Sequence, residues 1–251
     1  MLKYRVIPCL TIKGNELVKT IKFKKPIYVG DPINTIKIFN DKEVDELVLL
    51  DITATREKKG PNFKLLNDVS SECFMPLGYG GGITNLMEIE KLFNLGIEKV
   101  ILNSSTYSNI NLLKSAVETF GSQSIVASID VKKSWFSKKQ TVWTQCGEKN
   151  TKLTPLQYSN IVEEAGAGEI IINSIDLDGS MLGYDLNLIQ TVSNAVKTPV
   201  VALGGAGSLN DFRLAKNAGA SAFAASSFFI FQKAHRAVLI TYPTREELDT
   251  I

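Results

Sequence analysis

Eight short apolar runs recur along the chain, and segments with helical patterning separate them. Each run is continuous rather than alternating, which is typical of strands buried on both faces of a parallel sheet. The predicted strands cover residues 6–10, 46–50, 75–79, 99–103, 124–129, 169–173, 199–203 and 220–225. Eight strands alternating with helices over 251 residues predict a single domain, residues 1–251, folded as a closed (β/α)₈ TIM barrel.

Start signals precede several of the predicted helices between these strands. Thr154 lies before Pro155, and Ser208 is followed three positions later by Asp211, so Thr154 and Ser208 are predicted N-caps. The main alternative to the barrel is an open, doubly wound sheet. The G-x-G-x-x-G fingerprint of dinucleotide-binding sheets does not follow the first predicted strand, and this favours the barrel.

The chain contains an internal repeat. Glu46 aligns with Glu169, 123 positions later, and Gly81 aligns with Gly204 at the same offset. Similar β/α units could converge on similar patterns, but several paired features at one offset favour two half-barrels, at about 1–122 and 123–251. Long loops at residues 13–29 and 132–153 follow the first strand of each half. Loops at this end of a barrel commonly contact ligand.

Composition narrows the class of protein. Apolar residues make up 44% of the chain and the net charge is +2, so neither nucleic-acid binding nor membrane-surface binding is predicted. No apolar run reaches the length of a membrane span, and no signal-peptide pattern opens the chain. Cys9, Cys73 and Cys146 fit no metal or redox spacing, and His235 is the only histidine. We expect a cytoplasmic protein without a metal or other cofactor.

Two glycine clusters follow the third strand of each half, directly before a predicted helix. Glycine lets backbone N–H groups approach an anion closely, and the helix dipole adds positive potential. With the polar residues at the next strand tip, the first cup is Gly80, Gly81, Gly82, Asn103 and Ser104, and the second cup is Gly204, Gly205, Ser226 and Ser227. Tight turns alone could explain one cluster. A symmetric pair predicts a ligand with phosphate at both ends.

Candidate catalytic groups lie at the strand tips between the cups. Asp130 ends the fifth strand and is the predicted general acid–base, whereas Thr11 occupies the matching tip in the first half. Three further carboxylates follow strands, namely Asp51, Asp176 and Asp178. Lys19, in the first long loop, could contact a ligand phosphate. The alternative interpretation is that these aspartates are ordinary solvated carboxylates and that Lys19 is an ordinary exposed lysine.

Four charged residues open the first, second, fourth and sixth strands. They are Arg5, Glu46, Lys99 and Glu169, called the basal ring below. Charges inside a barrel are costly unless they are paired, so two cations and two anions are predicted to form a closed set of salt bridges at the N-terminal face. The residues alone favour a stabilising plug over a gate on an axial passage.

These features together resemble the cyclase subunit of imidazole glycerol phosphate synthase. The resemblance spans nearly the whole chain and includes the motifs at residues 5–10, 30–32, 45–47, 50–54, 79–83, 120–123, 166–169, 174–179, 183–185 and 204–207. It implies a (β/α)₈ barrel with a glutaminase docked on its N-terminal face, from which ammonia crosses to a bis-phosphorylated substrate. It also implies that the basal ring is the ammonia gate. Asn103 and Gly82 match one phosphate site, and Asp178, Gly179, Gly205 and Ser226 match the other.

Thr11 departs from the pattern of that family. The histidine-pathway cyclase carries aspartates at the tips of strands one and five, and only Asp130 remains here. A threonine hydroxyl does not titrate near neutral pH, so it does not replace a carboxylate in proton transfer. The chain is similar to the cyclase-like branch that helps convert acetamido sugars to acetamidino sugars for surface polysaccharide, on cues at residues 19–20, 71–77, 169–174, 226–231 and 235–243.

Three functions follow as hypotheses. In the first, the barrel supplies ammonia to a separate N-acetyl-sugar amidotransferase, which acts on a phosphorylated or nucleotide sugar, because the sequence has no recognisable P-loop for activating the amide. In the second, the chain is a true cyclase that tolerates Thr11. In the third, it is a non-catalytic activator of the glutaminase.

Overall fold

Eight parallel strands close into a barrel in the computed structural model, which describes residues 4–134, 139–232 and 236–251. In ring order the strands are β1 (Arg5–Lys13), β4 (Leu47–Asp51), β5 (Leu77–Gly80), β6 (Lys99–Leu102), β7 (Ile125–Lys133), β10 (Glu169–Ser174), β11 (Val200–Leu203) and β12 (Ala222–Ala225). The ring closes because β7 pairs with β10 and β12 pairs with β1. Residues 1–122 and 123–251 each contribute four strands to the ring.

Helices connect the strands on the outside of the barrel. They are α1 (Pro32–Asp41), α2 (Phe63–Glu72), α3 (Leu86–Asn94), α4 (Ser104–Ser108), α5 (Ile110–Phe120), α6 (Pro155–Glu164), α7 (Leu186–Ser193), α8 (Leu209–Asn217), α9 (Ser227–Ile230) and α10 (Arg245–Leu248). The predicted caps are confirmed. Thr154 and Ser208 each form a capping box, so their side chains satisfy N–H groups that the first helical turn leaves unpaired.

The two long loops predicted after the first strand of each half are hairpins instead. The first consists of β2 (Glu16–Ile21) and β3 (Lys24–Gly30), and the second of β8 (Gln140–Thr144) and β9 (Lys149–Asn150). β2 pairs antiparallel with β1, and β8 pairs antiparallel with β7. These antiparallel strands therefore extend the barrel sheet at the carboxyl ends of β1 and β7. A further short hairpin joins β13 (Phe231–Gln232) to β14 (Ala237–Val238), and His235 lies outside the described residues.

An apolar layer fills the barrel interior between its two ends. Side chains alternate along a strand, so the inward positions of each strand form stacked layers. The buried inner cluster is Ile7, Cys9, Val48, Ile101, Val126, Ile171, Val201, Leu203, Ala222 and Ala224. It separates the basal ring, which opens the strands, from the polar residues at their carboxyl ends.

Two observations bear on the surroundings of the protein. Among the described residues, no helix combines the length and apolar character that a membrane crossing requires. Cys9, Cys73 and Cys146 are free thiols. The reducing cytoplasm expected from the cysteine spacing stays a prediction.

Candidate functional site

A cavity of about 590 Å³ opens at the carboxyl ends of the barrel strands. Its volume suits a small-molecule ligand. The predicted site residues that line it are Thr11, Lys19, Asp51, Gly80, Gly81, Gly82, Asn103, Ser104, Asp130, Asp178 and Ser226. Five of the predicted ligand-binding residues are not part of this lining, namely Asp176, Gly179, Gly204, Gly205 and Ser227. The structure thus brings the first cup and both central strand tips together, but most of the second cup lies elsewhere.

Asp130 is buried in the wall of the cavity, with an amide group hydrogen-bonded to each oxygen of its carboxylate. Asn103 Nδ2 donates to Oδ2 and Asn173 Nδ2 donates to Oδ1, each at 2.9 Å. Burial raises the pKa of Asp130 to about 6, although the bonds from Asn173 and Asn103 oppose the rise. A carboxyl group with such a pKa can accept and return a proton near neutral pH.

Sequence reasoning missed Asn173. It lies on β10 directly opposite Asp130 in the parallel pairing with β7. Its side chain is 5% exposed and lines the cavity. The signal was available, since Asn173 ends the sixth predicted strand and the tips of neighbouring strands meet at one edge.

Thr11 is held by the first hairpin and not by Asp130. Its hydroxyl donates a hydrogen bond to the Val18 carbonyl oxygen, on the paired strand β2. The side chain lines the cavity. The first half of the barrel therefore presents a hydroxyl group bonded to backbone where the second half presents a carboxylate.

The first cup combines glycine backbone with a cationic rim. Gly81 and Gly82 have φ values of 131° and 72°, which favour glycine. The Asp51 carboxylate accepts bonds from the Thr53 N–H and hydroxyl at 2.8 and 2.9 Å, so it holds the loop after β4. The cavity lining also contains cations that the sequence analysis did not single out. Arg56, Lys58 and Lys59 come from that loop, where the run of charged residues is apparent in the sequence, and Lys13 comes from β1. Backbone N–H groups and cations together suit a phosphate.

The first hairpin packs on Asp178 and Gly179, two of the residues that match the second phosphate site of the family. The Thr20 carbonyl oxygen lies 2.3 Å from where a β-carbon on Gly179 would be, and Lys22 N donates to the Asp178 carbonyl oxygen at 2.9 Å. Lys19 was expected in an open loop, but it lies on β2 and is 3% exposed. Its ammonium pairs with the Asp178 carboxylate at 2.9 Å. Hence the exposed-lysine alternative is wrong, and the cation is already paired inside the site.

The residues of the second cup are themselves buried. Gly204 and Gly205 have φ values of 89° and 114°, in the region that favours glycine. The hydroxyl oxygens of Ser226 and Ser227 are buried and have no hydrogen-bond partner among the described residues. Asp176 lies away from the cavity, where its carboxylate accepts a bond from Lys133 N at 2.7 Å. The Asp176 carboxylate therefore accepts a hydrogen bond from a backbone N–H group and does not face the cavity.

The basal ring forms at the opposite end of the barrel. Lys99 Nζ lies 2.9 Å from Glu46 and 3.0 Å from Glu169, and Arg5 pairs with both carboxylates through its two terminal nitrogens. Burial alone would lower the pKa of Arg5, but the neighbouring Glu169 and Glu46 raise it above its ordinary value. The four side chains meet as predicted and form an alternating ring of charges.

Comparisons with known proteins agree with this geometry. The profile of the family described as "Histidine biosynthesis protein" matches residues 5–235. The chain belongs to this family. It is 49% identical over 250 residues, 99% of each chain, to a Pseudomonas aeruginosa protein named provisionally as imidazole glycerol phosphate synthase subunit hisF2. It is 43% identical to a provisionally named HisF subunit from Leptospira interrogans, over all of this chain and 99% of that one. A HisF subunit from Clostridium botulinum is 41% identical over 89% of both chains.

Gly82, in the first cup, and Gly96, which follows α3, form a matched pair of glycines for a test. A β-carbon at Gly82 would lie 2.4 Å from the Lys59 carbonyl oxygen, whereas one at Gly96 meets nothing within 4 Å in the described chain. Both residues have positive φ. We expect Gly82→Ala to lower the unfolding free energy by about 3 kcal/mol and Gly96→Ala by about 1 kcal/mol, because only Gly82 adds a clash to the strain. Urea denaturation measures both, and equal losses would contradict the packing described here.

Proposed function

We propose that this chain is the ammonia-accepting subunit of a glutamine-dependent synthase of the imidazole glycerol phosphate synthase type. The observation that carries the proposal is the basal ring, which lies on the same barrel axis as Asp130 and the cavity. Arg5 and Lys99 neutralise Glu46 and Glu169 within one closed set of ion pairs. Paired charges admit a small neutral molecule more readily than an ion, and the inner apolar layer above them likewise disfavours ammonium relative to ammonia.

A glutaminase partner on the N-terminal face would supply the ammonia. Phe74 is 85% exposed and follows α2, close to the start of β5. Its backbone N–H donates to Asn40 Oδ1 at 3.1 Å, so the ring is presented on a fixed loop. Leu47, directly after Glu46, donates to the Pro76 carbonyl oxygen, which brings this loop beside the basal ring. An exposed aromatic side chain beside the passage suits an interface with a protein.

The cyclase reaction is the candidate that the relatives' names support better than the sugar pathway predicted from sequence. In this interpretation the first cup holds one phosphate of the substrate and the second cup holds the other. Asp130 transfers protons during ring closure, since its pKa of about 6 suits both directions of transfer. Lys19 would exchange Asp178 for a ligand phosphate when the hairpin moves.

Thr11 favours a second candidate, in which the barrel delivers ammonia to an N-acetyl-sugar amidotransferase for an acetamidino sugar. Its hydroxyl bonds to the Val18 carbonyl oxygen, and no carboxylate faces Asp130 from β1. A cyclase that depends on two carboxylates would lack one of them. The phosphorylated or nucleotide sugar would then be bound by the partner, or by both proteins together.

The deciding experiment is complementation of a histidine auxotroph that lacks the cyclase subunit, combined with glutaminase assays on the purified pair. We expect growth with the wild-type chain and none with Asp130→Asn if the cyclase interpretation holds. Glutaminase stimulation without growth would support ammonia delivery to another enzyme, and stimulation that Lys99→Met leaves unchanged would support simple activation. A chain that neither rescues growth nor stimulates a glutaminase encoded beside it would contradict the proposal.

A further inference from the structure

The charged groups that line the cavity are divided unequally between the two halves of the chain. All lining cations in the described chain come from residues 1–122, namely Lys13, Lys19, Arg56, Lys58 and Lys59. In the described part of 123–251 the lining has no cation, and its charged groups are the Asp130 and Asp178 carboxylates. One side of the cavity therefore attracts anions, whereas the other side repels them.

Two of the cations beside the first cup are free to bind a ligand. Lys13 and Lys58 are exposed, and neither forms an ion pair with another described residue. The lining carboxylates of this half, Asp51 and Glu88, each accept a backbone N–H bond, at 2.8 and 2.7 Å. Those carboxylates are held in the wall of the cavity, so they leave both ammonium groups unpaired.

The other two cations beside the first cup form only exposed ion pairs. Arg56 pairs with Glu148 and Lys59 pairs with Glu57, each at 2.7 Å. The four side chains are 46–72% exposed. Ion pairs in such positions contribute little free energy, so a ligand phosphate can replace either carboxylate at small cost.

The described cations that contact residues 178 and 179 are occupied. Lys19 bonds both oxygens of the Asp178 carboxylate, at 2.9 and 3.2 Å, and both residues are buried. Arg236 donates to the Gly179 carbonyl oxygen at 3.0 Å and lies 4.5 Å from the centre of the Phe231 ring. A buried carboxylate without a partner is costly, so a phosphate that takes Lys19 leaves Asp178 to be compensated.

The internal repeat shows where this difference arises. The turns at residues 56–60 and 179–183 correspond at the offset of 123 positions, and Lys58 and Met181 have similar φ values of 52° and 61°. A β-carbon on Gly82 would lie 2.4 Å from the first turn, and one on the corresponding Gly205 would lie 2.1 Å from the second. The two turns therefore follow the same backbone course against equivalent glycines.

The side chains of the two turns differ in charge. The first turn carries Arg56, Lys58 and Lys59. The corresponding residues of the second turn are a glycine, a methionine and a leucine, and this leucine, Leu182, is 80% exposed. Matched backbone with cations on one side only indicates that the two ends of the ligand differ in charge.

We propose that the cavity takes a ligand with phosphate at one end only, of the diphosphate ester class. The glycine backbone of the first cup and the cations beside it are two separate groups of donors, which suit two linked phosphoryl groups. The other end of the ligand is uncharged and bears hydroxyl groups, which can donate to the carboxylates of the second half. It rests on the proposed function for the fate of this ligand, and it favours a sugar diphosphate over a substrate with phosphate at both ends.

Hydroxydecyl diphosphate and decanediol bisphosphate make a matched pair of probes. They are isomers that differ only in whether the second phosphoryl group is linked to the first or lies at the far end of the chain. Each is titrated into the full-length protein at neutral pH, and calorimetry measures its affinity. We expect the diphosphate to bind at least roughly tenfold more tightly than the bisphosphate. Equal or tighter binding of the bisphosphate, or no binding of either probe, would overturn the proposal.

The repeat also supplies matched variants, because each turn can receive the side chains of the other. We expect Lys58→Met with Lys59→Leu to weaken binding of hydroxydecyl diphosphate roughly tenfold. Met181→Lys with Leu182→Lys should strengthen binding of decanediol bisphosphate roughly tenfold, with the diphosphate changed less than about threefold. Affinities that stay within about twofold of wild type in both variants would show that these turns do not select the ligand.

The wild-type comparison of the two probes needs no variant, so it still decides if either double variant fails to fold. It is also separate from the proposed function, because neither probe involves ammonia or a glutaminase. Glutaminase stimulation can succeed while the bisphosphate is preferred, and the diphosphate can be preferred by a chain that stimulates no glutaminase.

Discussion

The Lys99→Met variant is expected to lose about 3 kcal/mol of unfolding free energy at neutral pH. Lys99 Nζ bonds both Glu46 and Glu169, which are almost fully buried. Without it, Arg5 alone faces two carboxylates. Removing one partner of a buried ion pair costs about 3–5 kcal/mol, and the lower end applies because Lys99 is 20% exposed.

Urea denaturation of the variant and of a matched control measures this effect. Lys59→Met removes an ion pair with Glu57 in which both side chains are largely exposed, so we expect no measurable change in unfolding free energy. The double variant Lys99→Met with Glu46→Gln restores charge balance and should regain much of the lost stability. A loss in Lys99→Met no larger than in Lys59→Met would show that the basal ring is a surface feature.

Asp130→Asn is expected to lower ammonia-dependent turnover steeply while making the protein more stable. If Asp130 is the acid–base group, its amide analogue should lower the rate by on the order of 10²–10⁴, measured as ring closure with ammonium and the cyclase substrate. At a constant concentration of free ammonia, the wild-type rate should rise as pH increases through about 6, since the carboxylate is the active base. Asp176→Asn is the control, because that carboxylate bonds Lys133 N and not the cavity.

The gain in stability follows from the direction of the pKa shift. Burial raises the pKa of Asp130 from 3.8 to about 6, so between these values the native state holds a proton that the unfolded state has lost. Stability therefore falls as pH rises through this window, by about 3 kcal/mol in total. Asp130→Asn removes that cost.

The variant should be more stable than the wild type by about 3 kcal/mol at pH 7.5 and about 1 kcal/mol at pH 4.5. Asn173 can reverse its amide to bond the new side chain, since its Oδ1 has no other partner in the described chain. Urea denaturation at both pH values measures the difference. A difference that does not change with pH would mean that Asp130 has an ordinary pKa in the folded protein.

Much of the barrel could be predicted because its signals are local or periodic. Continuous apolar runs identify strands buried on both faces, and the order of the runs determines their ring order. The basal ring was predictable for a related reason. Each of its four residues opens a predicted strand, and parallel strands in a barrel align their first residues at one end. The roles of these side chains as a gate stay a prediction.

The hairpins were not predictable from the same rules. The turn between β2 and β3 has φ values of 54° at Lys22 and 61° at Phe23, a geometry that usually requires Asn-Gly. Lys22 and Phe23 are not a recognisable turn sequence, so the pattern around them predicts a long loop and not a hairpin. The burial of Lys19 and the covering of Asp178 and Gly179 depend on this hairpin, so both differences from the predicted loop have one cause. The position of Asn173 depends on side-chain contacts across strands, which no local pattern records.

The Lys19–Asp178 pair under the first hairpin has a consequence for ligand selection. Asp178 belongs to the same chain as Lys19, so it competes for the ammonium at an effective concentration of about millimolar or above, whatever the dilution of the protein. A free anion with one phosphate meets this competitor at a disadvantage. Under the cyclase interpretation of the proposed function, a ligand anchored in the first cup would bring its second phosphate at a comparable local concentration. In that case the competition from Asp178 favours ligands that are long enough to reach from the first cup to Lys19, whatever the affinity of either cup.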